Sequence, residues 1–153
     1  MAQDYEIRYT DHVALVTLNN IKSDVESLLK VFEIVSNEGI CVDMISQTAP
    51  LNNSVNLSFT VDDNDTAKVI SIIYKFKEVF STLTTQILSN NTKVLITGEK
   101  MRSECGIATR VLSILAKAQI PISLITTAET EISLLITEEN ALRVKQVMEE
   151  FNQ

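Results

Sequence analysis

The sequence predicts an α+β fold: two similar βαββαβ units in tandem, each a four-stranded antiparallel sheet carrying two helices on one face. Three observations predict it. The chain repeats itself, each copy runs through strand-like and helix-like periodicities in the same order, and few residues interrupt regular structure. Of 153 residues only three are glycine and two proline, so most of the chain is regular and its connections are short. Hydrophobic residues make up 45% and charged residues 22%, the balance of a globular protein able to bury a core.

The repeat is the strongest internal signal. Val31–Ser46 (VFEIVSNEGICVDMIS) lies over Val111–Thr126 (VLSILAKAQIPISLIT) at a constant spacing of 80 residues (111 − 31), with no gap. Val31 meets Val111, Ile34 meets Ile114, Ile40 meets Ile120 and Ile45 meets Ile125. Upstream, Ile21 and Ser23 lie over Met101 and Ser103 at the same spacing. Downstream, Asn56–Val61 lies over Glu131–Ile136 at 75 residues (131 − 56), the difference being a longer turn around Pro50-Leu51-Asn52-Asn53.

Each element follows from local pattern. His12–Leu18 suits a half-buried strand, with Val13 and Val16 flanking Ala14 and Leu15. Ser23-Asp-Val-Glu26 reads as a capping box in which hydroxyl and carboxylate satisfy first-turn amides. Val25, Leu28, Leu29, Phe32 and Val35 then recur at helical spacing until Gly39. Ile40–Gln47 and Val55–Val61 are β-rich and joined by the Pro-Leu-Asn-Asn turn. A helix over Asp65–Phe80 carries Val69, Ile72, Ile73 and Phe76, and a strand follows near Leu83–Leu88. The second copy supplies a strand at Lys93–Thr97, a helix at Gly106–Lys117, strands at Ile122–Thr127 and Glu131–Thr137, and a helix at Asn140–Phe151. That order is the ferredoxin-like one. The second copy lacks its fourth strand, while Tyr5–Tyr9 alternates like a strand ahead of the first copy. The expected domains are therefore 11–90 and 91–153, the latter completed by an N-terminal strand over 3–10, so that the first is inserted into the second.

Charge and composition exclude several functions. A net charge of −7 and a pI near 4.7 repel phosphate backbones and anionic lipid, so neither nucleic acid nor membrane is an expected partner. No apolar run approaches the roughly 20 residues of a membrane span, and the polar N-terminus lacks the apolar stretch of a secretory signal. Cys41 and Cys105 stand alone and read as reduced thiols in a cytoplasmic protein. With one histidine, His12, and no glycine-rich loop, no metal, cofactor or catalytic centre is expected.

The stretch from Gly98 to Ile136, GEKMRSECGIATRVLSILAKAQIPISLITTAETEISLLI, resembles the C-terminal ACT domain of bacterial aspartokinases. Gly98, Met101, Arg102, Ser103, Gly106, Ile125, Thr126, Thr127 and Glu129 match the pattern there or substitute closely. The first half, with Val42–Gln47 (VDMISQ) its most specific piece, similarly resembles the effector-binding first ACT domain. Val25-Glu26 stand where that family places Pro-Gly, and Cys41 where many members have Asn. The amino-acid kinase domain of those enzymes is not in this sequence. The resemblance fits both a regulatory fragment and a natural small subunit.

What the resemblance implies is allosteric feedback inhibition of aspartate kinase, the ATP-dependent phosphorylation of L-aspartate, by L-lysine, L-threonine or both. The effector would bind between the ACT domains of a homodimer, and the aspartate kinase catalytic domain would be the regulated partner. Carried onto matching positions, its contacts are Ile21, Lys22, Ser23, Asp24, Ser27 and Leu28 after the first strand, and Ile40, Cys41, Asp43 and Gln47 around the second. Gln119 and Ile122 occupy the corresponding place in the second copy. An amino acid needs donors for its carboxylate, such as helix N-terminal amides, and an acceptor for its ammonium, a role that suits Asp43. Gln47 can donate and accept. Plainer roles compete: Ser23 and Glu26 as a helix cap, Asp43 as a solvent-facing strand residue, Cys41 as a small filler. Two further functions stand beside regulation of this kinase: a stand-alone sensor of another small metabolite, and a module that only dimerises an enzyme.

Overall fold

The computed structural model describes residues 4–153, so Gln3, the first residue of the expected N-terminal strand, lies outside the described residues. Ten regular elements follow one another: β1 (Glu6–Lys22), α1 (Val25–Asn37), β2 (Ile45–Gln47), β3 (Ser54–Asp62), α2 (Thr66–Val79), β4 (Thr84–Thr97), α3 (Ile107–Lys117), β5 (Leu124–Ala128), β6 (Glu131–Thr137) and α4 (Ala141–Met148). The chain divides into two compact units. A central unit spans His12–Ser89, and a terminal unit combines the chain up to Asp11 with Asn90–Gln153.

In the central unit the strand order is β2-β3-β1-β4. β1 pairs antiparallel with β3 from Val13↔Asp62 to Leu18↔Leu57. Ala14, Val16 and Leu18 on β1 and Leu57, Phe59 and Val61 on β3 are buried, alternating as one sheet face requires. Continuing that alternation would turn Asn20 inward. Instead the register shifts between Leu18 and Ile21, Asn20 takes a left-handed φ of 66°, and Ile21 is buried in its place. A one-residue bulge reverses which face each residue meets, so the core keeps an isoleucine and the asparagine stays outside. Val31 and Val35 of α1 and Val69, Ile72 and Phe76 of α2 join the same core.

The β2–β3 hairpin closes with reciprocal Leu51–Ser54 backbone bonds of 2.9 and 3.0 Å. Asn52 and Asn53 between them both adopt positive φ, 51° and 60°, as a two-residue turn matched to strand twist demands. The expected strand over Ile40–Gln47 is regular only from Ile45. The reason lies in Thr60, whose buried hydroxyl accepts the Met44 N–H at 2.9 Å while its carbonyl accepts the Asp43 N–H at 3.1 Å. A side chain has taken over one rung of the ladder. Thr60→Val is expected to leave that buried amide without its acceptor, costing about 1–3 kcal/mol, read as a lowered urea midpoint with unchanged m-value.

The terminal unit orders its strands β5-β6-β4-β1. β6 pairs antiparallel with β4 from Asn91↔Thr137 to Thr97↔Glu131 and with β5 from Leu124↔Leu135 to Ala128↔Glu131. Its core gathers Val94, Ile96, Ile132, Leu134 and Ile136 from the sheet with Val111 and Leu115 of α3 and Val144 and Met148 of α4. Tyr5 belongs to this core. Its ring lies 5.0 Å from that of Phe151, and its hydroxyl donates to Glu104 Oε2 at 3.0 Å. Gly98 is required beside it, since a Cβ there would sit 2.4 Å from Tyr5 Cδ1 and 2.8 Å from the Asp4 carbonyl oxygen.

The four-stranded sheets and paired helices agree with the expected fold class. One detail differs. The stretches Tyr5–Tyr9 and His12–Leu18, read as separate strands, run together in β1, which starts at Glu6, and Leu83–Leu88 and Lys93–Thr97 run together in β4, which starts at Thr84. The polar residues at these joins include no glycine or proline to stop a strand. His12 and Asn90 take left-handed φ values of 62° and 59°, a local irregularity that strands absorb without ending.

Candidate ligand-binding site

The site is built where β1 leaves its bulge and enters α1. The Ser23 N–H donates to the Asn53 carbonyl at 3.0 Å, tying this loop to the β2–β3 turn. Asp24, not Ser23, is the N-cap: it is extended (φ −111°, ψ 155°) and its Oδ1 accepts the Ser27 N–H at 2.7 Å. The Ser23–Glu26 capping box expected from sequence does not form. The helix begins one residue later, where a carboxylate meets the positive helix end more favourably than a hydroxyl. Lys22 Nζ lies 3.1 Å from Asp24 Oδ2.

The Ser27 amide and hydroxyl, with Lys22 behind them, hold the Asp24 carboxyl below the usual carboxylate range. A depressed folded-state pKa contributes stability that is present above the unfolded value and lost as pH falls through the folded one. Thermal denaturation of the chain is therefore expected to worsen on acidification below about pH 4 partly through Asp24. Asp24→Asn, which keeps a capping oxygen, is expected to show a weaker acid-side fall, whereas Asp24→Ala loses cap and charge at every pH. Identical acid limbs for wild type and Asp24→Asn would contradict this.

Beside this first turn lies a cleft of about 440 Å³. One wall is Lys22, Asp24, Glu26, Ser27 and Lys30; the other is Val79–Thr82, where α2 ends and leads to β4. Lys22, Asp24 and Ser27 are thus the three sequence-predicted residues that share a cavity. Ile21 and Ile40 are buried in the core, which leaves their side chains no contact with a ligand, and Leu28 packs partly buried against it. Ser23 is half-buried, whereas Cys41, Asp43 and Gln47 are exposed. Gln47 lies on β2, the edge strand of its sheet. None of these four lines the cleft. Gln119 is exposed at a left-handed φ of 54° after α3, and Ile122 packs against the terminal-unit core. Lys30 and Val79–Thr82 were not singled out by sequence. In a βαββαβ unit the start of the first helix and the end of the second fall at the same sheet end, and that topology is the signal that could have found them.

A second cleft, of about 290 Å³, lies in the terminal unit. Its charges are already engaged: Lys100 with Asp4 at 2.6 Å, Arg110 with the Phe151 carbonyl at 2.7 Å, and Glu104 with Tyr5. Among the described residues no group of three His, Cys, Asp or Glu could hold a metal ion, and no helix is long and apolar enough to cross a membrane.

Comparison with known proteins follows the same lines. The chain is 26% identical to aspartokinase 2 of Bacillus subtilis over 121 residues, 79% of this chain but 29% of that relative. It is 29% identical to the aspartokinase of Pseudomonas aeruginosa over a segment of the same extent. The chain thus matches less than a third of the length of these relatives. Among solved structures, the regulatory subunit of aspartate kinase from Thermus thermophilus superposes with a TM-score of 0.86 at 22% identity, covering 96% of this chain and 97% of that one. Aspartokinase from Clostridium acetobutylicum gives 0.85 at 16% identity, over 96% of this chain and 34% of that one. These structural likenesses establish the fold. The ACT-domain family model matches residues 19–76 and again 94–151, and with most of its length so matched, the chain belongs to the ACT-domain family.

Proposed function

We propose that the chain is the regulatory region of an aspartate kinase, sensing L-lysine, L-threonine or both and conveying feedback inhibition to the catalytic domain. The observation that carries this reading is one of extent. The segment shared with aspartokinases is under a third of their length, while nearly all of this chain superposes on nearly all of a protein described as a regulatory subunit of that kinase. The cleft at the start of α1 supports it as a place for the effector, with Asp24 and Ser27 joined by the helix cap and the loop before them tied to Asn53 through the Ser23 amide. Each ACT domain is one compact unit, residues 11–90 inserted into 91–153 with the N-terminal strand completing the latter. The chain works in the cytoplasm as a homodimer through its ACT domains. Val25 and Leu29, 78% and 58% exposed on one face of α1, are apolar surface that dimerisation would cover. Effector binding stabilises one dimer arrangement, and a coupling of about 1–3 kcal/mol is enough to shift the attached kinase.

A thermal-shift panel of free amino acids tests this. Lysine or threonine is expected to raise the melting temperature, with about 2.7 kcal/mol of stabilisation at a hundredfold excess over Kd, and unrelated amino acids are not. A panel in which no amino acid shifts the transition of a folded dimer overturns the proposal.

A further inference from the structure

We infer that the groove between the N-terminal half of β1 and α4 binds an extended, basic segment of another protein, which adds as a strand to the edge of the terminal sheet. In the terminal unit β1 is the outermost strand, with β4 on its inner side. β3, which flanks β1 in the central unit, meets it only from Val13 to Lys22. The outer edge of residues 6–11 therefore presents backbone N–H and C=O groups that no described strand takes up, the arrangement to which an incoming strand pairs. Charge and proline are what usually close such an edge. Here Glu6 and Arg8 neutralise each other at 2.7 Å, Asp11 accepts the Thr92 hydroxyl at 2.7 Å, and the segment holds no proline.

Beside this edge runs a groove of about 390 Å³. Ile7 and Tyr9, two residues apart on β1, form one wall; Lys145, Met148, Glu149 and Asn152 form the other. Their spacing of three, four and seven residues is one stripe along α4 and the turn Glu149–Asn152 that follows it. Two acceptors in the groove are unused. Asn152 Oδ1 is buried without a hydrogen-bond partner, a costly state that a donor would relieve. Glu149 is exposed and makes no ion pair or hydrogen bond through its side chain among the described residues. Burial, and after it this carboxylate, push the Tyr9 hydroxyl up, which sets Glu149 beside that ring. Lys145 is already held, 5.4 Å from the centre of the Tyr9 ring and 4.0 Å from Asp11 Oδ2. Acceptors without donors select a cationic side chain, and a guanidinium is the one that can donate to a carboxylate and an amide oxygen together. A chain of net charge −7 also draws a basic partner towards it. The partner's backbone would pair with β1, and its alternate side chains would enter the groove over Ile7 and Met148, as in other strand additions beside a helix.

Fluorescence anisotropy of a labelled, end-blocked hexapeptide, Val-Thr-Arg-Thr-Val-Thr, titrated with the full chain tests the assignment. Its first, third and fifth side chains would face the groove. The peptide is expected to bind, and its counterpart with glutamate in place of arginine to bind about tenfold more weakly or not at all. N-methylation of one alternate set of peptide amides is expected to abolish binding, while the other set tolerates it, because only one set faces the edge. Glu149→Gln is expected to weaken the arginine peptide about tenfold, the worth of a hydrogen bond to a charged group, and Arg143→Gln to leave it unchanged. Positions 143 and 149 are exposed, so both variants are expected to keep the fold, with circular dichroism as the check. No binding of the arginine peptide by the folded wild type up to millimolar concentration overturns the proposal. Equal binding of the arginine and glutamate peptides, or binding indifferent to both N-methylation patterns, overturns it as well.

Discussion

Replacing Tyr5 by alanine is expected to destabilise the terminal unit by about 3–5 kcal/mol, the range for truncating a buried aromatic. Tyr5 is 3% exposed, although it stands near the chain terminus, where residues usually contribute little. Its ring packs on Phe151, its hydroxyl holds Glu104, and Gly98 has no Cβ so that the ring can approach. Removing it opens a cavity bordered by a glycine and leaves Glu104 without that donor. Such a loss is a large share of the roughly 5–15 kcal/mol that holds a whole domain together. Hydrogen exchange should show the effect in β4, β6, α3 and α4 amides of this unit. Deleting residues 2–10 removes Ile7 and Tyr9 as well, both packed against the same core, and is expected to unfold the terminal unit outright. Native-like protection of α3 and α4 in the deletion variant would show that the N-terminal segment is dispensable and that residues 91–153 form a domain by themselves.

Phe59→Ala is the second large effect, also expected at about 3–5 kcal/mol. Phe59 is fully buried in the middle of β3, paired with Val16 on one side and Ile45 on the other. Its ring stands edge-on to Phe32 of α1 with centroids 5.8 Å apart, a geometry that adds to simple area burial. The side chain therefore joins sheet to helix at the level where α1 is positioned over the core. Losing it is expected to loosen α1 and, with it, the cleft at the start of that helix. Urea denaturation followed by far-ultraviolet circular dichroism checks the stability, and ligand titration on the still-folded fraction checks the cleft. A midpoint within experimental error of wild type would mean that the core closes over the lost ring.

The sequence displays the architecture because both units bury one face of each strand and one stripe of each helix, and those periodicities survive in Val31, Val35, Val111 and Leu115 whatever their neighbours are. The strand joins were less legible. Tyr9–His12 and Ser89–Thr92 look like loops by polarity, and only the backbone shows that left-handed turns at His12 and Asn90 keep the strands running. The bulge at Asn20 is equally silent in the pattern, since Leu18 and Ile21 are three residues apart and violate strand alternation. At the site, the first helical turn was readable and the residue that caps it was misplaced by one, because Ser23 and Asp24 are both good caps and the choice depends on where the chain turns. The facing wall, Val79–Thr82, lies some fifty residues away in sequence, in a segment with no motif of its own. Open charges such as Glu26 and Lys30 cannot be told from paired ones until side chains are placed.

The central claim is that this chain is a sensor of an aspartate-family amino acid, and calorimetric titration of the intact, folded chain with L-lysine and with L-threonine tests it most directly. Saturable heat with at least one of them, lost when the cleft charges are removed, is the predicted result. Heats of dilution alone with both ligands, up to millimolar concentration and with dimerisation verified in the same buffer, would contradict it.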